Sequence, residues 1–215
     1  MLLQSINRNA FILGAFALLS IGLIAVFHHL TKDKIAYEMQ AKLARTLNEL
    51  VDPNRFDNDV YHDCVVISDA DSKPATETAR IYRMTKQGNP VAVVLNVTAN
   101  DGYNGVINLI MAINADATIA GVRVINHNET PGLGDKIERK KSDWITRFNG
   151  LSLTNPAPQM WQVKQDGGQF DAFTGATITP RAVVKAVRNG LQFYQQHQTS
   201  LFTAPNHCEV QHEPT

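Results

Sequence analysis

Asp171-Ala172-Phe173-Thr174-Gly175-Ala176-Thr177 runs up to Thr179-Pro180, a helix-start signal followed by apolar residues at helical spacing. It sets a hydroxyl among small side chains beside a helix N-terminus. Free N–H groups and the positive end of the helix dipole favour an anion there. Gly175 and Ala176 leave room for another molecule to approach the backbone. These features point to phosphate ester chemistry. Thr177 reads as the attachment point of a phosphate-bearing cofactor and the remaining chain as its holder. The competing reading is a helix cap, which is the role expected of Thr179.

Two other segments bear on the same chemistry. Glu129-Thr130-Pro131-Gly132-Leu133-Gly134 has two glycines around an apolar residue. Such a backbone can lie flat against a planar ligand and offer it N–H groups. It also resembles a plain strand-to-helix connection, and it lacks the Gly-Lys-Ser/Thr ending of a phosphate-binding P-loop. Gly102-Tyr103-Asn104-Gly105 lies between two expected strands, where turns use the same residues. Leu133 and Tyr103 are candidates for packing on a ring. No turnover site emerges. His62, His127 and His197 lack metal spacing, His207, Cys208 and His212 fall in a polar tail, and no Ser-His-Asp set can be assigned from spacing.

Positioning elements can be read from pattern. Ala10 to Phe27 is almost wholly apolar, and as a helix about 27 Å long it would match a bilayer's hydrocarbon. A signal peptide has a shorter apolar core and a small-residue cleavage site, whereas this run ends in His28-His29-Leu30-Thr31-Lys32; an uncleaved anchor is favoured. Positive residues flank it on both sides, so charge does not fix its orientation. Ile35, Met39, Leu43, Leu47 and Leu50 continue it as an amphipathic helix that Pro53 stops. Cys64–Ile67 reads as a short buried strand, 80–85 and 90–98 as strands joined by the turn Gln87-Gly88-Asn89, and 106–113 and 118–125 as a second pair joined through Asn114-Ala115-Asp116; these short links favour antiparallel neighbours. A capped helix at Ser142 to Ile145, a strand at Trp161 to Lys164 and a turn at Asp166-Gly167-Gly168 follow. The last helix is expected to have Thr179 as N-cap and Pro180 as first residue, with Val183, Val184, Val187, Leu191 and Tyr194 as its apolar stripe. The fold class is α+β: one membrane helix, then a mainly antiparallel twisted sheet packed against helices. Lys plus Arg and Asp plus Glu both number 20, so no basic excess exists for nucleic acid. The two cysteines, Cys64 and Cys208, suit one disulfide in an exported domain or two separate thiols.

GYNG, ETPGLG and DAFTGAT, in that order after one N-terminal anchor, resemble the RnfG family, the FMN-binding components of Rnf electron-transport complexes. The likeness to the C component of the sodium-pumping NADH–quinone reductase is more distant. The resemblance covers nearly the whole chain. It implies a phosphoester between FMN and Thr177, with Asp171, Thr174, Gly175 and Ala176 as recognition residues. It implies that Glu129, Thr130, Pro131, Gly132, Leu133 and Gly134 lie beside the isoalloxazine ring, with Gly102, Tyr103, Asn104 and Gly105 as a neighbouring turn. A flavin transferase would make the bond, and other membrane subunits of the complex would be the redox partners, with no independent substrate turnover. The implied layout is a cytoplasmic N-terminus (1–9), a bacterial inner-membrane anchor (10–30), an amphipathic linker (31–53), a periplasmic FMN-binding domain (54–200) and a flexible tail (201–215). The alternatives are the sodium-pump component and an anchored assembly module without flavin.

Overall fold

In the computed structural model, which describes residues 2–66 and 80–208, the chain opens with helix α1, Leu2–Leu50. Its stretch Ala10–Lys32 has a mean hydropathy of 2.6 and is exposed among the described residues, and it is long and apolar enough to cross a membrane. The hydroxyls of Ser20 and Thr31 donate to the carbonyls of Phe16 and Phe27 one turn back, at 2.8 and 2.7 Å. Such bonds satisfy a hydroxyl without water. The chain divides into two units, Met1–Arg45 and Thr46–Thr215. Of the amphipathic stripe expected after the anchor, Ile35 is exposed, whereas Leu47 and Leu50 are buried within the second unit.

Five strands follow: β1 (Cys64–Val66), β2 (Arg80–Lys86), β3 (Asn89–Gly102), β4 (Gly105–Asn114) and β5 (Ile119–Asn126). They form one antiparallel sheet in sequence order. Ile67, expected as the end of β1, lies outside the described residues. Gln87 and Gly88 both have positive φ, 51° and 77°, which is the backbone of a tight two-residue hairpin. Alternation makes the sheet two-faced. Leu95, Val97 and Ala99 of β3 and Ile107, Leu109 and Met111 of β4 join one core cluster. Ala92 and Val94 of β3 and Ile110 and Ala112 of β4 are buried on the other face. Gly121 shares that second face, and a Cβ there would lie 2.8 Å from Leu50 Cδ2. The last turn of α1 therefore belongs with the sheet.

The first face packs against α2, Ile178–Thr203, through Val183, Val184, Val187, Leu191 and Tyr194, the stripe read from the sequence. Between β5 and α2 the chain is mostly irregular, held by an aromatic cluster. Phe148 stacks on Phe170 with centroids 4.8 Å apart, and Trp161 lies 5.4 Å from Phe170. Here three expectations need correction. Residues 142–145 are not the start of an α-helix: Trp144–Phe148 is a short 3₁₀ turn, with the Ser142 hydroxyl accepting from Trp144 N–H at 3.1 Å. Trp161 to Lys164 is not a strand: only Val163 makes a bridge, to Phe170, and Lys164–Asp166 is a 3₁₀ turn. Trp161 and Val163 are buried because they plug the core, not because they alternate across a sheet. And α2 begins two residues before Pro180, with Thr177 rather than Thr179 as N-cap.

The chain beyond Ser200 was expected to be a flexible tail. The helix continues to Thr203, Leu201 is buried, and the following residues dock on β1. His207 N–H donates to the Cys64 carbonyl at 2.8 Å, Asn206 Nδ2 donates to the His62 carbonyl at 2.6 Å, and Cys64 and Cys208 form a disulfide. Residues 209–215, including His212 and Pro214, lie outside the described residues.

Candidate cofactor cleft

Three separate parts of the chain meet at one end of the sheet. The β3–β4 turn contributes Tyr103, the following loop contributes Glu129, Thr130, Leu133 and Gly134, and the start of α2 contributes residues 175–179. Between them lies a cleft of about 260 Å³. The three sequence segments singled out for their chemistry thus converge. Tyr103 is 67% exposed and Leu133 41%, so both present apolar surface without core packing to use it.

Thr177 lines this cleft, half-buried, and its hydroxyl has no hydrogen-bond partner among the described residues. A threonine kept only as a cap would accept from an N–H of the first turn. The N–H groups of Ile178 and Thr179 likewise have no protein acceptor among the described residues, and Pro180 has no N–H to offer. The helix start therefore presents donors beside a free hydroxyl, the arrangement an anion needs. Ahead of it, Ala176 N–H donates to the Phe173 carbonyl at 3.0 Å, closing a turn with Gly175 at φ 80°. That positive φ is why glycine stands there. A Cβ would meet only Leu133 Cδ2 at 3.7 Å, so the turn's geometry requires glycine and lack of room does not.

Other expected site residues stand apart from the cleft. Asp171 pairs with Lys164 Nζ at 2.5 Å, and its carbonyl accepts from Trp144 Nε1 at 2.7 Å, so it shapes the segment from behind. Thr174 is exposed at the tip of the turn. Pro131, Gly132, Gly102, Asn104 and Gly105 support the walls without lining them. The glycine loop also differs in detail from expectation. The N–H groups of Leu133 and Gly134 both donate to the Thr130 carbonyl at 3.1 Å, so those two are spent inside the loop.

Sequence reading missed the role of Thr179 and of Ile178. Thr179 is fully buried, and its hydroxyl donates a short hydrogen bond to Glu129 Oε2. Glu129 Oε1 accepts from Asn104 N–H at 3.0 Å. Both contacts are long-range, and no local pattern marks them. Ile178 is an exposed apolar residue in the cleft wall, outside the buried stripe of its helix.

The fold and cleft describe a membrane-anchored domain built to hold a cofactor, and comparison with known proteins gives its class. Residues 102–192 match the model of the FMN-binding domain, and residues 1–50 match that of the RnfG N-terminal region. The chain is 44% identical to the G component of the ion-translocating oxidoreductase complex from Shewanella piezotolerans, covering 98% of this chain and 99% of that one. The proteins of the same name from Pseudoalteromonas atlantica and Vibrio cholerae are 47% and 43% identical over 97% and 98% of this chain, and 97% and 100% of theirs. The chain belongs to the RnfG family, the G components of ion-translocating oxidoreductase complexes.

Proposed function

We propose that this protein is the FMN-carrying subunit of an Rnf-type complex, with FMN joined to Thr177 by a phosphoester. The observation that carries the linkage is the Thr177 hydroxyl, without a hydrogen-bond partner among the described residues, in a cleft that three separate segments build. When bound, FMN supplies one- and two-electron chemistry. The chain's residues do the holding. The N–H groups at the start of α2 offset the phosphodiester charge, and Tyr103 and Leu133 cover the flat ring and limit water around it. Anchoring through phosphate keeps the cofactor from diffusing away and leaves its ring unmodified. The partners are other membrane subunits of the complex, and a flavin transferase loads the site. The domain lies on the periplasmic side of the bacterial inner membrane. The Cys64–Cys208 disulfide supports that side, because such bonds persist in oxidising compartments.

The test uses the full-length chain produced together with a flavin transferase. The expected result is a band that fluoresces under ultraviolet light on a denaturing gel, with the FMN phosphoryl mass on the peptide containing Thr177. Thr177→Ala abolishes the band and Thr174→Ala keeps it. A wild-type chain that stays colourless, or a band that survives Thr177→Ala, overturns the assignment.

A further inference from the structure

Glu129 is buried in the cleft wall, only 4% exposed, and each of its carboxylate oxygens is taken. Oε1 accepts from the N–H of Asn104 in the β3–β4 turn at 3.0 Å, and Oε2 accepts from the hydroxyl of Thr179, the second residue of α2. Glu129 itself stands at the head of the glycine loop. One carboxylate therefore joins all three parts of the cleft, across 25 residues to one side and 50 to the other. The neighbouring glycines leave it room, although a Cβ on Gly102 would first meet the Gly105 carbonyl. A Cβ on Gly102 would lie 2.9 Å from Oε1, and one on Gly134 would lie 2.9 Å from Oε2 and 2.8 Å from Thr179 Oγ1. The loop is also held from behind. Glu129 N–H donates to His127 Nδ1 at 3.0 Å, which puts the ring proton on Nε2, facing Glu138 Oε1 at 2.8 Å.

We propose that Glu129 is a positioning residue for the flavin. Its carboxylate clamps the hairpin turn, the glycine loop and the helix start, fixing the distance between the ring-side surface at Tyr103 and Leu133 and the hydroxyl of Thr177. This rests on the reading of Thr177 as the flavin attachment point. The arrangement also explains a division of roles between the two threonines. Thr179 gives its hydroxyl to the clamp, so the helix start is held in place while the Thr177 hydroxyl stays free. Misplacing a reacting group by an ångström is enough to slow a group transfer strongly.

The experiment follows the rate of FMN addition to full-length chains by a flavin transferase supplied with FAD, read by intact mass. Iodide quenching of flavin fluorescence is measured on the loaded fraction, and circular dichroism on the unloaded one. Glu129→Ala and Thr179→Val are expected to load about tenfold more slowly, or worse, with a ring more open to iodide. Glu129→Gln keeps an acceptor for Asn104 and can donate to the Thr179 oxygen, and Thr179→Ser keeps the hydroxyl; both are expected within about twofold of wild type. If Glu129→Gln instead behaves like Glu129→Ala, geometry is not what Glu129 provides and the clamp is overturned. If Glu129→Ala fails to fold, Thr179→Val decides: loading and quenching like wild type overturn the proposal. A wild-type chain that takes no FMN defeats the Thr177 assignment rather than the clamp.

Discussion

At the scale of single residues, the cleft depends on conformations that few side chains allow. Gly175→Ala forces an alanine to φ 80° but meets no close atom, so it tests backbone strain alone. The expected cost is about 1 kcal/mol, read from a urea unfolding midpoint. Gly134→Ala is different: its Cβ would stand within 3 Å of both Glu129 and Thr179, and it is expected to cost about 1–3 kcal/mol and to slow loading. Acid sensitivity also has residue-level sources away from the cleft. The Thr118 hydroxyl and N–H both donate to Asp116, at 2.6 and 3.0 Å, and with Arg55 nearby they hold its carboxyl below the usual range. A depressed folded value stabilises the fold above the unfolded pKa, and that contribution fades as pH falls through the folded value. Asp116→Asn should therefore differ from wild type at neutral pH and converge with it below about pH 4 in urea titrations. The group is well exposed, so the difference should be small. The sequence pointed to Thr177 and to its small neighbours because those are chemical types in a row. It could not show that Thr174 would sit on a turn tip, or that Glu129 and Thr179 would share a hydrogen bond across 50 residues.

At the scale of elements, period carried most of what was legible. The strands are legible as short runs bounded by turn residues, and α2 as an apolar stripe, because such patterns are local. The helix expected at 142–145 and the strand expected at 161–164 are absent because these segments have no period. Their buried aromatics answer to the shape of the core, which depends on residues far along the chain. The start of α2 was placed too late because Thr-Pro is a generic helix opening; here the proline occupies the third helical position, where its missing N–H costs nothing. Helix and sheet approach closely at Gly190, where a Cβ would lie 2.5 Å from Met111 Cε and 3.0 Å from Val97 Cγ2. Methionine can yield, but a β-branched residue cannot be absorbed so easily. Gly190→Val is expected to destabilise the domain by about 1–3 kcal/mol in chemical unfolding. At the sheet's edge, the Cys64–Cys208 bond spans 144 residues and ties the segment after α2 to β1. Replacing both cysteines with serine is expected to cost about 2–4 kcal/mol, measured against the oxidised wild type.

At the scale of the whole molecule, the order of motifs and the family resemblance carried more than any single pattern. Length and the one long apolar helix among the described residues pointed to a domain with a membrane anchor. Which side the domain occupies is a prediction. Protease added to intact spheroplasts is expected to digest the 46–215 unit, and protection of that unit would put it on the cytoplasmic side.

Residues 103, 129 and 177 become neighbours only after the sheet, the loop and the last helix have all found their places. A transferase that reads this neighbourhood would pass over nascent or misassembled copies. The yellow label would then serve as a permanent receipt of successful folding, and the ratio of coloured to colourless polypeptide would report how much of the population had matured.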